Sequence, residues 1–215
     1  MKGRHPLGTI AHLWRYPVKS LAAEPLERTR VEAGGLEGDR REALFVATPD
    51  HARSGRTYRG KEHNLLHTVR EASRAADLAA ERDLEIDVRG DGPHFDAGAV
   101  SILTDTWLAD LETLLAARLD PLRFRPNLFV RADPSFALRE EALTGAKLYG
   151  GEVEFEVVAT IKRCVTTTYD IETGVADPRV LRAIAEHRGN VMGVYCDVRR
   201  TGGIETGETF WIDLP

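Results

Sequence analysis

Fifteen residues from Thr160 to Gly174, Thr-Ile-Lys-Arg-Cys-Val-Thr-Thr-Thr-Tyr-Asp-Ile-Glu-Thr-Gly, hold the side chains best suited to chemistry. Cys164 is flanked by Lys162 and Arg163. Two nearby cations lower the free energy of a thiolate relative to a thiol. The three threonines that follow supply hydroxyls and backbone amides able to hold an anionic ligand. The competing reading is structural, because a lone cysteine in a β-rich segment is also a small buried hydrophobe.

The alternating segment from Glu152 to Val158 predicts a half-buried strand, which brings Cys164 to a position just beyond a strand end. Other stretches predict similar junctions. A strand over Gly8 to Trp14 should stop at Tyr16-Pro17, since proline cannot donate to a central ladder, leaving Lys19 and Ser20 at its rim as an anion grip or as solvated surface. Strands over Leu26 to Ala33 and Glu42 to Thr48 flank the turn Gly34 to Arg40, which carries Asp39 and Arg40 as a structural ion pair or as an arginine kept for a phosphate. The 49–61 stretch reads as an exposed loop. His63 and His67 have the spacing of one helix face, but no acidic third ligand accompanies them, and no metal site is assigned there. A short strand over Leu84 to Val88 follows.

The clearest helix carries Trp107, Leu108, Leu111, Leu114 and Leu115 on one face, with Thr104 or Asp105 as N-cap and Pro121 beyond its end. Its start, Ser101 to Thr106, is a strand-to-helix junction of the kind that binds phosphate or only its own caps. Phe124-Arg125-Pro126-Asn127 leads into an apolar strand at Leu128, with Arg125 and Asn127 on one face of extended chain. A short helix from Pro178 to near Gly189 precedes a final antiparallel pair, Val191 to Val198 with Glu208 to Ile212. Cys196 lies among apolar residues of that pair and reads as core.

Composition narrows the ligand. A net charge of -5 argues against nucleic acid as the main partner, so an anionic ligand must be met by local cations. Two cysteines without a CxxC pair indicate neither a disulfide framework nor structural zinc and fit a reducing, cytoplasmic setting. No apolar run approaches the ~18 residues of a membrane helix. Many short strands, one firm helix and one short one predict an α+β fold, predominantly β, built as a β-barrel with a few packed helices. The chain reads as a single domain over 1–215, with a β-rich N-terminal lobe over 1–95 and a core part over 96–215 that carries the cysteine.

Four segments stand in a telling order: Tyr16-Pro17-Val18-Lys19-Ser20, Gly35-Leu36-Glu37-Gly38-Asp39-Arg40, Phe124-Arg125-Pro126-Asn127, and Arg163-Cys164-Val165-Thr166-Thr167 with Asp170 and Gly174. In that order the chain resembles MOSC-domain proteins, the family named for the C-terminal domain of molybdenum cofactor sulfurases, and most of all its branch of amidoxime-reducing components. The resemblance runs from about Gly8 to Ile212. It implies a MOSC-type β-barrel in which Cys164 is either the thiolate ligand of molybdenum in a pterin cofactor or the carrier of a persulfide. Lys19, Ser20 and Arg40 would grip the cofactor, Thr104 and Thr106 its phosphate, and Arg125, Asn127 and Arg163 would complete the pocket. Arg59 is a possible counterpart of a pocket arginine, and Leu21 stands where relatives often carry cysteine.

The implied activity is a molybdenum-dependent reduction of N-hydroxylated or N-oxygenated small molecules. Because the chain carries no flavin or iron-sulfur module, electrons would come from a separate donor protein. The alternatives are transfer of sulfur between donor and acceptor proteins by a Cys164 persulfide, or a non-catalytic cofactor-binding module. The family also carries an association with pyridoxal phosphate.

Overall fold

The computed structural model describes residues 3–215. Strand β1, His5–Arg15, turns Leu7, Ile10 and Leu13 into the core. It is followed by β2 (Glu24–Leu26), β3 (Arg28–Glu32), β4 (Gly35–Leu36) and β5 (Ala43–Val46). A 3-10 turn, Asn64–Thr68, leads into helix α1, Ala72–Ala80, and then β6, Ile86–Arg89, pairs with β5. The second half supplies β7 (Val100–Thr104), α2 (Asp105–Leu115), β8 (Leu128–Ala132), β9 (Lys147–Gly150) and β10 (Val153–Lys162). After α3 (Pro178–Arg188) come β11 (Val191–Arg200), β12 (Gly202–Glu205) and β13 (Thr209–Asp213).

The main sheet runs β13-β9-β10-β11-β7-β8-β1-β2 and closes on itself because β1 also pairs with β13. Closure needs β1 to serve several neighbours along its length: His5 to Thr9 face β13, Gly8 to Leu13 face β8, and Leu13 to Arg15 face β2. Bulges between Pro6 and Gly8 and between Ile10 and His12 bend the strand into these changes of partner. Among the described strands only β7 and β8 pair in parallel, and α2 is the crossover that parallel pairing demands. The barrel interior packs Leu7, Ile10, Ile102, Val130, Leu148, Phe155, Val194, Phe210 and Ile212, each worth ~1.5–3 kcal/mol on burial. A second, smaller cluster joins Val18, Leu21, Leu44, Tyr58, Leu66 and Leu78 beneath the β5–β6 pair and α1.

The barrel with packed helices agrees with the expected α+β, predominantly β fold. Three local expectations are corrected. First, α1 is a further helix; Ala75, Leu78 and Ala79 bury its one apolar stripe at i, i+3 and i+4, a short pattern that alanines make faint. Second, β11 and β13 do not pair with each other. The segment between them forms β12, which pairs with β3, so β11 goes to β10 and β7 while β13 goes to β9 and β1. Third, Arg125 is not extended but sits in the left-handed region, at φ 51, as the C-cap of the 3-10 turn Pro121–Phe124. Among the described residues no helix is long and apolar enough to cross a membrane.

Candidate cofactor and active site

Strand β10 alternates inward and outward from Val153 to Val157, shifts register at Ala159, returns Ile161 to the core and ends at Lys162, so Cys164 emerges beyond the ladder and caps the 3-10 turn Val165–Thr168. Its thiol is exposed, with Sγ 3.1 Å from Thr166 Oγ1. The position is fixed from behind by the neighbouring residue. Arg163 Nε donates to the Met192 carbonyl at 2.7 Å and Nη1 to the Phe124 carbonyl at 2.9 Å, while Asn190 Nδ2 donates to the Arg163 carbonyl at 3.0 Å. Gly193 makes room for this strut: at φ 90, an added Cβ would lie 2.8 Å from the Ile102 carbonyl oxygen and 3.1 Å from Arg163 Nη2.

In front of Cys164 opens a cavity of about 350 Å³ lined by 19 residues. Eight of them are cations, Lys19, Arg40, Arg59, Lys61, Arg123, Arg125, Lys162 and Arg163, against a single acid, Asp96. In a protein of net charge -5, that concentration of one sign defines an anion site. Lys19 is tied to Asp96 at 2.7 Å. Arg40 is held by Asp39, whose buried carboxylate also accepts from the Tyr16 amide at 2.7 Å and from Asn127 Nδ2 at 3.2 Å. Arg40 and Arg125 both pack against the Tyr16 ring, with guanidinium carbons 4.7 and 4.2 Å from its centroid. Burial pushes the Tyr16 phenol up, and the ring remains a neutral partner for both cations.

Burial lowers Arg125 and Arg163 to about 10, so both remain charged at neutral pH. Nη2 of Arg125, buried in the wall, has no hydrogen-bond partner among the described residues. A buried orphan donor of this kind costs ~1–3 kcal/mol, and more when charged, until an acceptor arrives. Backbone strain gathers at the same place. Ser20, Arg40 and Arg125 are non-glycine residues at positive φ, 77, 48 and 51, and all three line the cavity.

The sequence expectations divide against this geometry. Cys164, Lys19, Ser20, Arg40, Arg125 and Arg163 line one cavity, and Arg59 joins them. Asn127 stands behind it, buried, accepting at Oδ1 from the Ser101 amide at 3.1 Å and from Arg40 at 3.3 Å. Thr104 and Thr106 are not among the lining residues. Ser101 lines the cavity, but three more residues of extended strand carry the chain roughly 10 Å onward, to where Thr104 caps α2 by accepting from the Trp107 amide. Lys61, Arg123 and Tyr195 line the site without having been singled out in the sequence. For Tyr195 the signal was alternation, since a buried Cys196 turns its neighbour to the opposite face.

The family model described as "MOSC domain" matches residues 91–211, and that described as "MOSC N-terminal beta barrel domain" matches residues 7–103. The chain belongs to the MOSC-domain family. Among curated relatives, mitochondrial amidoxime reducing component 2 of Bos taurus is 29% identical over 126 residues, covering 53% of this chain and 36% of the relative. Mitochondrial amidoxime-reducing component 1 of Danio rerio is 31% identical over 122 residues, with the same two shares, 53% and 36%. The matched stretch thus spans about a third of the length of those relatives. The crystal structure of the YUAD protein from Bacillus subtilis superposes over 100% of both chains with a TM-score of 0.61 at 16% identity, a likeness of fold.

In this MOSC protein the two histidines have structural duties. His63 caps the 3-10 turn by accepting from the Leu65 amide at 3.1 Å. His67 Nδ1 lies 3.0 Å from the Ser20 carbonyl, which can only accept, so Nδ1 carries the proton. Burial, aided by Arg125, lowers His67 to about 3, well under its ordinary 6.5. The folded protein therefore refuses a proton that the unfolded chain accepts, and stability should fall as pH drops below 6.5. By pH 5 this group alone should remove about 2 kcal/mol. Urea denaturation at pH 7 and pH 5 reads the loss directly, and His67→Gln should flatten it; an unchanged pH dependence in the variant would refute the assignment.

Proposed function

We propose that the cavity of this MOSC protein holds the phosphorylated pterin of the molybdenum cofactor with Cys164 as thiolate ligand, and that the loaded protein reduces N-hydroxylated or N-oxygenated compounds. The observation that carries the reading is the pairing of an exposed thiol with a wall of eight cations, three of which, Arg59, Arg123 and Arg125, bear a buried donor without a hydrogen-bond partner among the described residues. These residues fit a ligand with phosphate and dithiolene charge, since each charge-assisted hydrogen bond contributes ~1.5–3 kcal/mol. When bound, the group supplies a metal able to exchange two electrons. Lys19, Ser20, Arg40 and Arg125 hold its anionic parts, and Arg59, Lys61 and Arg123 complete the charge. Asn127 acts through Arg40. Arg163, bonded to two backbone carbonyls, anchors the loop and contributes charge rather than free donors.

For an amidoxime the balance is simple. The N–O bond breaks, two electrons and two protons enter, and an amidine and water leave. We assign the electrons to a separate donor protein and the setting to a reducing compartment such as the cytoplasm, which keeps Cys164 a thiol when the site is empty. Tyr195 lines the wall, and burial raises its pKa, so it remains a protonated phenol beside the site.

The test is molybdenum content together with reduction of benzamidoxime by a chemical electron donor, on protein made in a host that synthesises the cofactor. Near-stoichiometric metal with amidine formation is expected; no metal and no uptake by the empty protein would overturn the reading. A second reading rests on the exposure of Cys164. A thiol open to solvent suits transfer of persulfide sulfur to another protein, and cyanide-labile sulfur on metal-free protein would favour it.

A further inference from the structure

The surface changes character beside Cys164. The 3-10 turn Val165–Thr168 presents Thr166 and Thr167 to the cationic cavity, and Val165 and Thr168 to a separate groove of about 420 Å³. The opposite wall of the groove is α3, through Pro178, Leu181 and Ala185. Tyr169 and Ala176, joined by a β-bridge, also line it. Arg182 is the only charged lining residue. Val165, 40% exposed, directly follows the exposed Cys164, so apolar surface begins one residue from the thiol.

We infer that this groove receives the apolar body of the substrate, which makes the preferred substrates N-oxygenated compounds carrying an aliphatic or aromatic chain. The inference rests on the reductase reading above and names the substrate class for that site. Three observations carry it. The groove and the cavity share the cysteine-bearing turn as a common wall, so a molecule with its N–O group at Cys164 reaches Val165 without leaving the surface. The volume falls within the ~300–1,000 Å³ of small-molecule sites. Eight lining residues fall well short of the roughly 20–30 a side of a standard protein interface, so neither a protein partner nor a second copy of this chain would be held by the groove alone.

The groove is also fixed relative to the thiol. At the end of α3, the Gly189 carbonyl accepts from Lys162 Nζ at 2.8 Å and the Asn190 carbonyl from the Arg163 amide at 3.0 Å. The helix that walls the groove therefore grips the strand end that carries Cys164.

The experiment is a homologous series, acetamidoxime, hexanamidoxime and decanamidoxime, with molybdenum-loaded protein, and titration of decanamidoxime into cofactor-free protein followed by methyl NMR. KM should fall along the series, by up to about fourfold per buried methylene, and the methyl signals of Val165, Leu181 and Ala185 should shift. In Ala185→Glu, a solvent-side helix position, the KM of decanamidoxime should rise toward that of acetamidoxime; Val165→Asp, on the other wall, should act alike. Reduction of all three compounds with no dependence on chain length, or an unchanged slope in both variants, overturns the groove assignment while leaving the reductase reading intact. Failure to reduce any of them overturns the reductase reading, and the NMR titration then decides the groove by itself: absent shifts, or shifts explained by dissociation of a dimer in sedimentation, overturn it.

Discussion

Replacing Cys164 with alanine should strip molybdenum from the protein and lower amidoxime reduction by at least about a hundredfold, because even residues that only orient metal ligands cost 10–100-fold when removed. Stability should barely change. The thiol is exposed and hydrogen-bonded to Thr166, and surface substitutions of that kind stay within about 0.5 kcal/mol. Metal analysis, reductase assay and thermal unfolding on one preparation therefore separate ligand loss from misfolding. Full activity in the variant would remove Cys164 from the chemistry. Retained molybdenum with lost activity would make the thiol a participant in reduction and not an anchor.

The second large effect lies behind the cavity. Asp39→Ala removes a fully buried carboxylate that accepts from the Tyr16 amide, from Arg40 and from Asn127. What remains is a pair of guanidiniums, Arg40 and Arg125, both against the Tyr16 ring at 4.7 and 4.2 Å from its centroid, without the Asp39 counter-charge. Breaking a buried pair from one side costs about 3–5 kcal/mol. For a chain of this size that corresponds to a drop of roughly 10 °C in the midpoint. Asp39→Asn keeps an acceptor for the Tyr16 amide and should lose less. Inorganic phosphate should restore part of the stability of Asp39→Ala by supplying negative charge to the arginines. A loss below about 1 kcal/mol would mean that the wall tolerates its own repulsion.

The outline of the site was legible because its parts are punctuated locally. Pro17 ends β1 just before Lys19, the glycines around Asp39 permit the turn that delivers Arg40, and β10 alternates over Val153 to Val157 on its way to the cysteine. What the sequence hid depends on distance through space. Nothing near Thr104 reveals that Ser101, three residues earlier, is where the strand meets the cavity. Arg123 and Tyr195 join the wall because the 3-10 turn at Pro121–Phe124 and strand β11 are brought there by the closed sheet. Arg125 misled for a local reason, since the residue before a proline normally stays extended and here the cap of the turn forces it left-handed. The pairing of β12 with β3 likewise follows from barrel geometry and leaves no mark on either strand's own alternation.

The way β1 is shared has a consequence for the order of assembly. His5 lies opposite Ile212 and Thr9 opposite Thr209, so an early strand of the barrel is completed by one far later in the chain. Until β8 and β13 have been made, Leu7 and Ile10 have no interior to enter, and the nascent chain carries an open, apolar edge. Contacts this distant in sequence also delay the gain that repays loop closure, which slows the final step. The barrel therefore closes only when β13 takes its place, and losing β13 would expose the free edges of both β1 and β9 to other chains at once.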